Sequence, residues 1–303
     1  MSFKHQFRLL LTLFILGVFW LPASAQSKPT LAELRTKIEK ELGKYPFTYA
    51  VAFKDLSTGQ ELLMNEREVF HAASTMKTPV MIEVYKQQVQ GKLSLKDSIL
   101  IKTDFKSIVD GSPYSLKASG DSDTLTYKQI GRQRTLADLV FDMITMSSNL
   151  ATNLIIELVG GPNVTQTMRE LGARDIQVRR GVEDSKAFAQ GLNNTTTAYD
   201  LMVIFEKIAN GQAVSPEASQ AMIGTLFAQK LNSVIPAKLP KDVKVAHKTG
   251  SITGVQHDSG IVFLPDGRKY VLVLMSKNVK DDEAIDGILA TISQWVYEYV
   301  AAR

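Results

Sequence analysis

The chain has 303 residues and a formal charge of only +4, with no basic run interleaved with aromatics, so nucleic acid is excluded as an expected partner. It contains no cysteine, which rules out disulfides and lipid attachment through a cysteine and leaves stability to a packed core.

The opening stretch, MSFKHQFRLLLTLFILGVFWLPASAQ, carries Lys4 and Arg8, then an apolar run from Leu9 to about Leu21, then Ala23-Ser24-Ala25. That is the pattern of a secretory signal peptide over residues 1–25, cut at a small-x-small site after Ala25. The run falls short of the roughly 20 apolar residues of a spanning helix, so no stable membrane span is expected after cleavage, a retained anchor being the alternative. The mature protein, 278 residues of formal charge +2, is then expected as a monomer in the periplasm or outside the cell.

Thr30 and Glu33 have the spacing of a capping box, and Leu31, Leu34, Ile38 and Leu42 recur at helical intervals, predicting one amphipathic surface helix. FTYAVAF alternates Phe47, Tyr49, Val51 and Phe53 on one face, and STG turns the chain into QELLMN, the start of an antiparallel sheet. From about residue 76 to 230 the pattern becomes helical: VMIEVYKQQV, TLADLVFDMI, LATNLIIELV, NVTQTMREL, TTAYDLMVIFEKIA and PEASQAMIGTLFAQ. An irregular stretch starting near Arg179 ends in GLNNTTT, and residues 112–134 read as a surface hairpin, with Tyr114 as an alternative wall of a cleft. KVAHKTG, GIVFL and KYVLVLMS are three further strands, and from Asp281-Asp282 a last helix lines up Ile285, Ile288, Leu289, Ile292, Trp295, Val296 and Tyr299. The expected architecture is α/β plus all-α: an antiparallel sheet flanked by helices, from residues 26–75 and 231–303, with an all-helical domain from 76–230.

In HAASTMKTPVM, Ser74 and Lys77 stand three apart at what reads as the start of an amphipathic helix. Ser74 alone is either a helix-capping hydroxyl or a nucleophile whose proton Lys77 accepts one turn on. This is the chain's single S-x-x-K, and two further short motifs follow it: SSN at 147–149 opens a helix, and KTG at 248–250 ends a strand. Look-alikes at 57–59 (STG) and 276–278 (SKN) fall in the wrong order. The ordered set, with STMK, MSSNLATNLIIELVGG, NNTTTAYDL and HKTGSITG, resembles the penicillin-recognising serine hydrolases, above all the class A β-lactamases, over most of the mature chain.

The resemblance implies roles. Ser74 would attack the carbonyl and become acylated, with Lys77 as base or proton relay, and Ser147 would pass a proton to the departing nitrogen. Asn149 would bond the substrate's side-chain amide, Lys248 and Thr249 would bind its carboxylate, and Gly250 and Ser251 complete the implied substrate-binding set. Backbone N–H groups of Ser74 and Ser251 would form the oxyanion hole. Independently of the resemblance, bringing Lys77 and Lys248 together lowers the pKa of each, and a nearby carboxylate does the reverse.

The family's pattern is not complete. Glu183 is the counterpart of the glutamate that activates the deacylating water, yet the residue four later, where the family has an asparagine, is Ala187. Glu183 or Asp184 pairing with Arg179 or Arg180 is the structural alternative. The positions where many members carry an arginine for the substrate carboxylate hold Val234 and Ser259. His71, His247 and His257 have no metal-ligand spacing, and neither metal nor cofactor is expected. The implied function is hydrolysis of a small-molecule β-lactam through an acyl-serine. A D-Ala-D-Ala carboxypeptidase or esterase acting on cell-wall peptides, only slowly deacylated by β-lactams, is the second reading. A non-catalytic peptidoglycan or β-lactam binding protein is the third, opposed by retention of every reacting side chain.

Overall fold

The computed structural model describes residues 28–280 and 282–303, so the expected signal peptide lies outside the described residues. The first helix, α1 (Leu31–Leu42), has its capping box: Thr30 Oγ1 accepts the Glu33 N–H at 3.2 Å and the Glu33 carboxylate accepts the Thr30 N–H at 2.7 Å. Strands β1 (Thr48–Asp55), β2 (Glu61–Met64) and β3 (Phe70–His71) follow, and then α2 (Lys77–Val89). Short strands β4 (Ser98–Leu100), β5 (Asp104–Lys106), β6 (Pro113–Ser115) and β7 (Gln133–Thr135) precede α3 (Leu136–Thr145), α4 (Asn149–Val159) and α5 (Gly161–Leu171). After α6 (Ser185–Ala189) and β8 (Thr195–Thr196) come α7 (Ala198–Ala209) and α8 (Pro216–Phe227). The chain closes with β9 (Lys244–Ile252), β10 (Val255–Phe263), β11 (Lys269–Lys277) and α9 (Asp282–Ala301).

Five strands form one antiparallel sheet in the order β2-β1-β11-β10-β9. Because side chains alternate along a strand, β11 sends Tyr270, Leu272 and Leu274 to one face and Val271, Val273 and Met275 to the other, and all six are buried. On the first face Leu34, Ile38 and Leu42 of α1 and Ile285, Leu289, Ile292 and Val296 of α9 pack on Val51 and Phe53 of β1. On the second, Ala50, Ala52, Ala246 and Ile261 meet the helical part, with α7 lying across β1, β10 and β11. Each fully buried Leu or Ile contributes about 1.5 to 3 kcal/mol, the main source of cohesion in a chain without cysteine.

The six helices expected between residues 76 and 230 form as α2, α3, α4, α5, α7 and α8. Helix α2 differs from expectation: every residue from Lys77 to Tyr85 is buried, because α3, α4, α5 and α8 surround it. It is a central helix, buried nearly all round over that stretch, not an amphipathic one. The same part of the chain also carries two-stranded ladders, β4 with β7, β5 with β6, and β3 with β8. The hairpin read across 112–134 begins earlier, with Phe105 opposite Tyr114; the rest of that segment makes 3-10 turns at Ala118–Gly120 and Thr126–Gln129 and then β7. Strands of two or three residues are too short for alternation to reveal them. At the sheet's edge, β9 lies against the turn that carries Ser74.

Candidate active site

Ser74 sits in a 3-10 turn, Ala73–Met76, directly ahead of α2. It is not a helix cap: Met76 is the N-cap residue of α2, and no side chain makes the capping bond. The turn is instead imposed by its surroundings. Ala73 has left-handed backbone, φ 45°, and is held by its N–H donating to His71 Nδ1 at 3.0 Å, while Thr75 Oγ1 donates to Ala72 O at 2.6 Å. From the other side β9 presses close: a Cβ on Gly250 would stand 2.9 Å from Thr75 Cγ2 and 3.2 Å from the Ser74 nitrogen, so only glycine admits the strand here.

Lys77 is fully buried and donates to Ser147 O at 2.6 Å, Ser147 Oγ at 3.2 Å and Asn149 Oδ1 at 2.9 Å. Lys248, equally buried on β9, donates to the same Ser147 Oγ at 3.0 Å and to Thr249 O at 2.9 Å. One hydroxyl therefore lies between two lysines. Burial drives Lys77 down to about 7, against the opposing charges of Asp121 and Glu183. Lys248 is driven well below the usual lysine range by burial first and the charge of Lys77 second. Desolvation thus outweighs the nearby carboxylates, the balance that sequence left open.

Asn149 links the lysines to the irregular loop, its Nδ2 donating to Glu183 Oε1 at 3.0 Å. Partial desolvation raises the pKa of Glu183, the Asn149 bond opposes this, Asp121 adds to it and Lys77 opposes it. Glu183 itself has φ 62° and Ser147 has φ 57°, so three non-glycine residues at this one site hold left-handed backbone. The loop is clamped one turn along α4, where Asn153 accepts the Val182 N–H at 2.6 Å and donates to Val182 O at 3.0 Å and Tyr114 Oη at 3.2 Å. Gly181 makes room for that clamp, since a Cβ there would lie 2.3 Å from Asn153 Oδ1. At the neck, Asn194 accepts the N–H groups of Arg179 and Arg180 at 2.8 and 3.2 Å.

The alternative of an ion pair within the loop does not form. Arg180 donates to the carbonyls of Leu192 and Gly181 and to Asn193 Oδ1, while Asp184 accepts from Ser107 Oγ, Ile108 N and Ala187 N. Ala187, four residues past Glu183, is buried, and the amide beside Glu183 comes from Asn149 on another element. Tyr114 supports the loop from behind, as its contact with Asn153 shows. Val234 is buried in the apolar cluster under the sheet, and Ser259 is buried with its Oγ 3.3 Å from Lys248 O. His247 points away from Lys248, as the alternation of a strand requires, to Asp258 at 2.9 Å and Asn232 at 3.1 Å. Among the described residues no group of three or more His, Cys, Asp or Glu is placed to hold a metal ion.

Two residues of this network escaped the sequence reading. Asp121 Oδ2 accepts the N–H groups of Asn149 at 2.9 Å and Leu150 at 3.0 Å, closing the N-terminus of α4 with a negative charge, and Tyr127 Oη lies 3.2 Å away. No local pattern announces it. Asn153 did leave a signal, a polar residue four past Asn149 inside the apolar run of α4.

Ser74, Asn149, Glu183 and Ser251 line one cavity of about 430 Å³, whose walls also include His71, Phe188 and Ile252. The model of the β-lactamase enzyme family matches residues 33–300. The extended-spectrum β-lactamase PER-1 of Pseudomonas aeruginosa is 27% identical over 299 residues, 95% of this chain and 92% of that one. A β-lactamase of Rhodobacter capsulatus is 30% identical over 207 residues, 67% of this chain and 65% of its own. Among solved structures, PBP-A shares 27% identity at a TM-score of 0.78, covering 91% of this chain and 98% of that chain. The β-lactamase from Sphaerobacter thermophilus shares 26% at 0.76, covering 91% and 99%. Fold, ordered motifs and family match agree, and the chain belongs to the β-lactamase enzyme family within the penicillin-recognising serine hydrolases.

Proposed function

We propose that the protein is a class A-type serine β-lactamase, monomeric and working in the periplasm or outside the cell. The observation that carries this reading is the convergence of Lys77 and Lys248 on Ser147 Oγ, at 3.2 and 3.0 Å, in the cleft where Ser74 and Glu183 share one cavity. Near neutral pH a Lys77 that titrates at about 7 is half deprotonated and takes the proton of Ser74 as its Oγ attacks the lactam carbonyl. The backbone N–H groups of Ser74 and Ser251 receive the oxyanion, a contribution of about 2.7 to 4 kcal/mol per donor. The proton passes from Lys77 through Ser147 Oγ to the lactam nitrogen as the C–N bond breaks. Lys248 orients Ser147, and with Thr249 it grips the substrate carboxylate while Asn149 bonds the acyl amide. Glu183 then takes a proton from water, which attacks the acyl ester, and returns it to Ser74 Oγ. The Lys4, Arg8 and Ala23-Ser24-Ala25 pattern supports export.

One observation favours a slower second reading. Glu183 accepts an amide hydrogen from Asn149, but the loop offers a buried Ala187 where a second polar group would help hold water. A mutant of PBP-A, 27% identical to this chain, is known as an acyl-enzyme complex with penicillin G. In that reading the enzyme is a D-Ala-D-Ala peptidase or esterase that β-lactams acylate and leave slowly. Intact mass measured over time with benzylpenicillin separates the two. A transient adduct with continuing substrate loss supports the β-lactamase; a lasting adduct supports the peptidase. Absence of both an adduct and substrate loss in a folded protein, or an adduct that survives Ser74→Ala, refutes both.

A further inference from the structure

The contact that shapes the nucleophile's turn is made by a side chain that titrates. We propose that His71 is a positioning residue for Ser74: its unprotonated Nδ1 accepts the Ala73 N–H and holds the left-handed turn from which Ser74 meets substrate. This rests on the reading of Ser74 as the nucleophile.

Ala73, at φ 45°, lacks the short polar side chain that usually stabilises such backbone, so the stabilising contact has to come from elsewhere. His71 supplies it from two residues back at 3.0 Å, the spacing of an Asx-turn with an imidazole nitrogen in place of the amide oxygen. An N–H directed at Nδ1 means that the ring hydrogen of the neutral histidine sits on Nε2. The residue is itself fixed: His71 pairs with Thr195 between β3 and β8, its carbonyl lies 3.0 Å from His257 Nε2, and its ring packs edge-on to Phe188 at 6.2 Å. It lines the cavity that Ser74 lines.

The charged and titratable groups around it come from four directions. Arg180 stands at the neck of the loop, His257 on β10, Glu183 and Asp184 across the cavity, and Lys277 on β11 donates to Val69 O beside β3. Burial first and the charge of Arg180 second hold His71 below its ordinary 6.5. Protonation would place a hydrogen on Nδ1, facing the Ala73 N–H donor to donor. Acid therefore releases the turn, in addition to protonating Lys77.

The test compares acylation of Ser74 by benzylpenicillin across pH in the wild type, His71→Asn and His71→Ala, with a nitrogen-15 NMR titration of the wild-type imidazole. Asn keeps an acceptor that does not titrate, so His71→Asn should acylate within about threefold of wild type near neutrality and lose the extra steepness in acid. His71→Ala should acylate roughly ten- to a hundredfold more slowly. The NMR spectrum should show hydrogen on Nε2 and a titration below 6.5. Wild-type acylation rates in His71→Ala, wild-type steepness in His71→Asn, or hydrogen on Nδ1 would overturn the proposal. A wild type that shows the Nε2–H tautomer yet is never acylated speaks against Ser74 as nucleophile, and the tautomer still supports the bond to Ala73.

Discussion

Replacing Asp121 by asparagine tests whether a residue far from the motifs sets the working pH of the site. Asp121 accepts two backbone N–H groups of α4, at 2.9 and 3.0 Å, with charge on the acceptor. A hydrogen bond to a charged group is worth about 1 kcal/mol more than a neutral one, so the two bonds lose about 2 kcal/mol in Asp121→Asn. Removing the charge from the helix N-terminus adds about 0.5 kcal/mol. For a domain of this size the melting temperature should fall by roughly 5 to 10 °C. The chemical effect is separable: Asp121 raises both Lys77 and Glu183, so both titrate lower without it. The acid limb of acylation, expected near 7 in the wild type because Lys77 titrates at about 7, and the acid limb of deacylation should both move to lower pH. Stopped-flow acylation and single-turnover deacylation read the two limbs, and circular dichroism reads the melt. Limbs that stay in place, or move to higher pH, would show that desolvation alone governs the site.

Gly250→Ala places a methyl group 3.2 Å from the Ser74 nitrogen, and acylation should drop at least roughly tenfold in a protein whose circular dichroism is unchanged. Gly181→Ala drives a Cβ to within 2.3 Å of Asn153 Oδ1, displacing the loop of Glu183, so the acyl-enzyme should accumulate, visible as a longer-lived mass adduct while its formation rate holds. His257, fully buried, titrates at about 4, below the 6.5 of the unfolded chain, so the unfolded state takes up its proton first. Stability present above pH 6.5 should be lost as pH falls toward 4, by about 3 kcal/mol at most, and His257→Asn should flatten that part of a urea-denaturation pH series.

The sheet and the long helices were legible because their periods are long enough to count: β11 spans 9 residues with both faces apolar, and α9 spans 20. The candidate site residues were legible by order, since three short motifs fell in sequence on elements that the fold brings together. Three features were not. A helix cap at Ser74 requires α2 to begin there, whereas left-handed Ala73 and the pressure of Gly250 insert a 3-10 turn first. Asp121 acts on a helix 28 residues further along, a partnership only the folded path creates. The family pattern implies an amide four residues past Glu183 on the loop, but Asn149 brings it from α4.

The three left-handed residues carry an evolutionary consequence. Ala73, Ser147 and Glu183 each hold backbone that costs of order 1 to 3 kcal/mol and that glycine would adopt freely. A laboratory selection for thermostability would be rewarded by glycine at those positions, whereas a selection that needs the Ser147 and Glu183 side chains would be punished at two of the three. Adaptation for a hotter or harsher setting therefore has to enter through the helices and the outer sheet face, leaving the strained triplet alone.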